Sequence, residues 1–158
     1  MRGHTHLLAG AALALATSKY THIEANTIWF TSAAAFGALL PDIDHPKSTL
    51  GRIIKPISWA LHSIFGHRTI THSLLFLFIV TSLLWTVFPN YPFVVMGICI
   101  GVISHLMLDA LTVSGIPLLY PLKTKIRFPF YTRTGSFTEL VLFVLLVITN
   151  FVLIRNVF

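Results

Sequence analysis

Acid and cysteine are scarce in this chain: of 158 residues, five are Asp or Glu and one is Cys. With Cys99 alone, neither an intrachain disulfide nor a thiolate-rich zinc site can form, so any metal must rest on imidazole and carboxylate ligands. Charged residues amount to 10% of the sequence, against about 25% in an average soluble domain. That is too little charge to coat a water-exposed surface. No Gly-rich phosphate loop, serine nucleophile elbow, internal repeat or nucleic-acid-binding module is present. P-loop enzymes, serine hydrolases and solenoids drop out, and so does nucleic acid as a partner.

What the chain has instead is apolar length. Hydrophobic residues make up 55% and the mean hydropathy is +0.81. Apolar runs at 7–16, 28–40, 74–88, 93–111 and 140–154 are separated by segments holding nearly all the Pro, Lys, Arg and Asp. The expected fold is all-α, a polytopic membrane helical bundle of about five transmembrane helices, with residues 1–158 forming one domain. A span of the hydrocarbon core needs roughly 20 residues. The polar flanks must therefore continue the shorter helices, or the bundle must thin the bilayer. The first run has a rival reading as a cleavable signal peptide, since Arg2 precedes a short apolar stretch with Ala-x-Ala triplets. Its brevity and the histidines His4 and His6 weigh against that reading. Between the second and third runs, Ile53, Ile57, Ala60, Leu61 and Ile64 recur at helical spacing and predict a short interfacial helix over 53–65. Residues 112–138, rich in Pro, Gly, Lys and Arg, read as an irregular loop beside a site.

If five helices alternate across a bilayer, the N-terminus, 41–72 and 112–138 emerge together. That side holds nine Lys or Arg, counting Arg2, Lys47, Arg52, Lys55, Arg68, Lys123, Lys125, Arg127 and Arg133, against Lys19 and Arg155 opposite. The positive-inside rule makes it cytoplasmic, the orientation of a multi-pass inner-membrane protein. The same alternation gathers most of the histidines and aspartates there, although they played no part in deriving it.

His105 and Asp109, four apart near the end of the fourth long run, share one helix face and can grip one ion. A packing hydrogen bond is the plain alternative, but ionisable groups inside apolar helices are costly and usually functional. Asp42, Asp44 and His45 follow where a helix stops. Acid there opposes the helix dipole and calls for a nearby cation. His67, Arg68 and His72 stand before another apolar run, with Thr69 or Thr71 available as an N-cap. His6 is the better placed of the two N-terminal histidines. Arg52 and Arg68 can each pair with a phosphate through the planar guanidinium, or serve only as membrane anchors. Glu139 is a ligand, a supporting partner of one, or simply a favourable charge at a helix start. His22 and His62 do not converge with the rest and read as surface or packing residues.

The ordered combination of His6-Leu7-Leu8, Leu40-Pro41-Asp42-Ile43-Asp44-His45, Gly51-Arg52, Gly66-His67-Arg68, Thr71-His72-Ser73 and Ser104-His105 with Asp109 resembles the YdjM-like family of predicted membrane-bound metal-dependent hydrolases. The resemblance covers about residues 4–139. It implies phospholipase-like hydrolysis, because His105 and Asp109 resemble the helical His-x-x-x-Asp ligand pairs of zinc-dependent phospholipase C. Those enzymes are soluble, so neither fold nor substrate access need match.

The function expected is therefore metal-dependent hydrolysis of a phosphoester in a phospholipid or a lipid-linked phosphate. Two or three divalent ions, zinc first and manganese second, would be held by His6, Asp42, Asp44, His45, His67, His72, His105 and Asp109. In this scheme Asp42, Asp44 and Glu139 serve the chemistry, Arg52 and Arg68 orient the phosphate, and membrane lipids are the partners. A metal- or proton-coupled transporter is the main alternative, although transporters tend to bind near the bilayer midplane. A scaffold with a closed structural metal site is another. Oligomeric state is left open.

Overall fold

The computed structural model describes residues 1–21, 26–66, 68–122, 124–129 and 131–157. Among these the chain forms seven α-helices and no strand. Helix α1 spans Gly3–Thr21 and α2 Thr27–Gly37. The backbone then tightens into a 3-10 turn at Leu40–Asp44, with Pro41 in its first turn. Helices α3 (Thr49–Ile53) and α4 (Lys55–Phe65) follow, then a second 3-10 turn at Ile70–His72. Helices α5 (Leu74–Val87), α6 (Pro92–Ala110) and α7 (Phe137–Val157) complete the bundle.

Each apolar run becomes a helix, yet the count of five spans is not confirmed. Among the described residues, only α6 and α7 are long and apolar enough to cross a membrane. At about 1.5 Å per residue, the 11 residues of α2 and the 14 of α5 fall short of the hydrocarbon core. The interfacial segment also differs from expectation. It breaks at Ile54 into α3 and α4, because Pro56 occupies the first turn of α4 and cannot continue a helix begun at Thr49. Its Ile57, Trp59 and Ile64 stay exposed, as an apolar face turned to a membrane surface requires. Ser73, rather than Thr69 or Thr71, caps α5, accepting from Phe76 N at 3.3 Å. The described residues of 112–136 are irregular, as their composition predicts, and among them two isolated bridges join Thr112 to Thr132 and Ile116 to Ile126.

Helix α6 is the spine of the bundle, packing on α1, α2 and α5, while α7 lies on α1. Close approach is made possible by glycine. A Cβ at Gly97 would stand 2.4 Å from the Phe30 carbonyl oxygen, and one at Gly101 2.1 Å from that of Ala34. Across the same seam, a Cβ at Gly37 would meet Ile98 O at 2.4 Å, and where α1 meets α2 one at Gly10 would meet Ala34 O at 2.6 Å. Lipid offers no hydrophobic drive between helices, so small residues spaced four apart, as Gly97 and Gly101 are, supply close backbone contact instead. Asn150, on the lipid-exposed α7, donates to Leu8 O at 3.0 Å and ties that helix to α1. The seam matters for the site, since it fixes the end of α6 against the end of α2.

Candidate metal centre

His105 and Asp109 occupy the last turns of α6 and are fully buried. The Ala38 carbonyl, just past α2, lies 2.7 Å from His105 Nδ1. A carbonyl can only accept, so Nδ1 carries the proton and Nε2 presents its lone pair. His72, also fully buried, comes from the 3-10 turn before α5. Thr71 donates its hydroxyl proton to Asp44 Oδ2 at 2.6 Å and so accepts from His72 Nδ1 at 3.0 Å. His72 Nε2 is thereby left as a second lone pair.

These two Nε2 atoms face each other at 3.2 Å. Asp109 Oδ2 lies 3.4 Å from His72 Nε2 and 3.8 Å from His105 Nε2. Asp42 Oδ1 lies 3.7 and 3.8 Å from the same two nitrogens. Four acceptor atoms from three segments thus converge. His6, in the first turns of α1, stacks its ring on that of His105 with centroids 3.7 Å apart. Its Nε2 is 3.3 Å from Asp109 Oδ1, and neither of its ring nitrogens makes a hydrogen bond of normal geometry. Among the described residues, two triads have ligand atoms close enough for one ion, His6–Asp42–His105 and His72–His105–Asp109.

Cations hold the rim. The Arg68 guanidinium meets Asp109 Oδ2 at 2.8 Å and donates to Thr112 Oγ1 at 3.0 Å. The amino group of Met1 is 2.6 Å from Asp109 Oδ1. Arg68 has φ of +59°, a left-handed backbone that is strained for a side-chain-bearing residue. The strain is held by its own amide, which donates to Asp44 Oδ2 at 2.9 Å.

The structure brings His6, Asp42, His72, His105 and Asp109 together, with Arg68 against them. Asp44 is buried beside them, its Oδ2 accepting from Thr71 and the Arg68 amide and lying 3.8 Å from His72 Nδ1, so it positions His72. His45 adopts the extended backbone expected before Pro46 and turns its Nδ1 to Lys47 N at 3.4 Å, outside both triads. Arg52 is exposed and donates through Nε to Lys47 O. Glu139 accepts from Arg2 N at 2.6 Å, Gly135 N at 2.5 Å and Thr5 Oγ1 at 3.3 Å, fastening the start of α1 to the start of α7. His67 lies outside the described residues, as does His22. His62 packs on the Asp44 carbonyl. Sequence reading missed Thr71 and the Ala38 carbonyl, which set the two histidine tautomers. A hydroxyl residue immediately before His72 was the only available signal.

Apolar helices and a buried His–Asp cluster at one end of the bundle define the class, an integral membrane protein whose clustered side chains could hold a metal ion. The comparisons agree on the membrane. The family described as "YdjM inner membrane protein" matches residues 1–157. The chain is 42% identical over 139 residues to the uncharacterized protein YvsG of Bacillus subtilis, covering 88% of this chain and 85% of that protein. It is 37% identical over 137 residues to the inner membrane protein YdjM of Escherichia coli, covering 82% and 70%, and equally to YdjM of Shigella flexneri. No solved structure gives a significant match. The chain belongs to the YdjM family of inner membrane proteins.

Proposed function

We propose that this protein is a membrane-embedded hydrolase of phosphoester bonds, acting on a phospholipid or lipid-linked phosphate with a divalent ion, zinc or else manganese, at the His–Asp cluster. The observation that carries the reading is the pair of Nε2 lone pairs at 3.2 Å, flanked by two carboxylates, with both opposite nitrogens already committed as donors. Acceptors repel one another unless a proton or a metal cation stands among them. Ligand atoms around a tetrahedral zinc with bonds of 2.0–2.1 Å stand about 3.3 Å apart; the 3.2 and 3.4 Å separations from His72 Nε2 fit that spacing, and the 3.8 Å from His105 Nε2 to Asp109 Oδ2 is wider.

His105 has one nitrogen to give, so the two triads share a single ion, which His72, His105 and Asp109 would hold with Asp42 beside it and a position left for water. A second ion would draw on His6 and Asp109 Oδ1. Such an ion supplies Lewis acidity and an activated water. Asp42, whose side chain is 16% exposed, faces both the imidazoles and the adjoining cavity and is placed to take a proton there. Arg68 neutralises charge that develops on an incoming phosphate. An opening onto a cavity favours catalysis over a structural site, which is normally coordinatively closed. The positive-inside count supports a cytoplasmic position for the cluster in a multi-pass protein.

Detergent-purified protein reconstituted with zinc or manganese should release phosphate or headgroup from phospholipid or polyprenyl phosphate. Asp42→Asn should abolish release while leaving the protein folded. Metal-loaded protein inactive on every phosphoester offered would remove the hydrolase reading and leave the transporter or scaffold.

A further inference from the structure

A cavity of about 360 Å³ opens beside Asp42, at the small end of the range for ligand sites. Its charged side chains are Arg2, Lys47, Arg68 and Asp42, three cations to one carboxylate. Arg68 is already engaged by Asp109. Arg2 and Lys47 have no ion-pair partner among the described residues, yet both face this cleft, where low-dielectric walls focus their field. Hydroxyls of Ser48, Thr49 and Thr134 complete a lining suited to a polar group rather than an acyl chain.

We infer that this cavity binds the phosphate group of a mono- or diester, with Arg2 and Lys47 as the residues that select it. The inference rests on the hydrolase reading for its link to the metal, but it makes its own prediction about anion binding. Lys47 is built into the same loop as Asp42. Ser48 Oγ donates to Asp42 O at 2.7 Å, and Arg52 Nε donates to Lys47 O at 3.0 Å. Arg52, expected to touch phosphate itself, instead holds the loop that presents Lys47. Gly3 shapes the opposite wall, where a Cβ would stand only 3.0 Å from Thr49 Oγ1. A phosphate between Arg2 and Lys47 therefore lies alongside Asp42, next to the ligand cluster, with Lys47 and Asp42 on one loop and Arg2 on the N-terminal segment across from it.

The test is calorimetric titration of zinc-loaded, detergent-solubilised protein with inorganic phosphate in one arm and phosphatidic acid micelles in the other. The Arg2→Gln/Lys47→Gln double variant is compared with wild type and with Lys47→Arg. The double variant should bind at least tenfold more weakly in whichever arm wild type binds, with zinc content and melting temperature preserved, and Lys47→Arg should retain most of the affinity. Binding to phosphatidic acid alone identifies a lipid headgroup, whereas binding to inorganic phosphate identifies a free phosphate or a small ester. Absence of binding in both arms, or equal binding by the double variant, overturns the inference. If the protein takes up no zinc, the hydrolase reading fails by itself, and titration of the metal-free protein still reports on Arg2 and Lys47.

Discussion

Replacing Gly101 tests how tightly packing and site are joined. A Cβ there would stand 2.1 Å from Ala34 O and 2.6 Å from Ala38 N, where ordinary contact begins at 3.4 Å. Helix α2 must therefore retreat by about 1.3 Å, an overpacking strain that costs roughly 1–3 kcal/mol in a well-packed core. The retreat carries Ala38 with it. The 2.7 Å bond from His105 Nδ1 to Ala38 O would then lengthen beyond useful range, and loss of such a partner typically lowers metal affinity about 10–100-fold. Gly101→Ala should thus lower the melting temperature in detergent and weaken zinc binding in a chelator-competition assay, in one substitution that touches no ligand. Unchanged melting and unchanged zinc affinity would refute both the tightness of the α2–α6 seam and its hold on His105.

Two further outcomes are expected. Thr71→Val removes the hydroxyl that links Asp44 to His72 Nδ1, so zinc affinity should fall about 10–100-fold while Thr71→Ser retains it; equal affinity in Thr71→Val would show that Thr71 does not set the His72 tautomer. Reporter fusions within residues 20–25 and at residue 158 should read as non-cytoplasmic, and cytoplasmic signal from both would reverse the proposed orientation.

Much of the scaffold was legible because apolar runs in a lipid-like composition have few other uses. The runs over 74–88 and 93–111 correspond within a few residues to α5 and α6. Span length was not legible: α2 stops at Gly37, where the chain turns into the Leu40–Asp44 segment, although its apolar run continues to Leu40. In the site, His105 and Asp109 could be paired from spacing alone, because four residues is one helical turn. His72 and Asp42 could be gathered only by topology. Their companions show why that stops short. Asp44 and Asp42 are two apart and chemically alike, yet the first accepts from a hydroxyl and a backbone amide on the Nδ1 side of His72, while the second faces the Nε2 atoms of both His72 and His105. Glu139 likewise satisfies backbone amides at two helix starts, a role that no side-chain motif encodes. Backbone partners such as Ala38 O carry no sequence signature at all.

The site stands or falls on a cation held by His72, His105 and Asp109 with Asp42 beside it. The most direct measurement is metal content of the purified protein by mass spectrometry, wild type beside His105→Ala, each after exposure to zinc and removal of the excess. The account predicts about one tightly held equivalent in wild type and its loss in a His105→Ala protein that still melts cooperatively. Wild type that retains no metal, or a His105→Ala variant that retains the same amount, would contradict it.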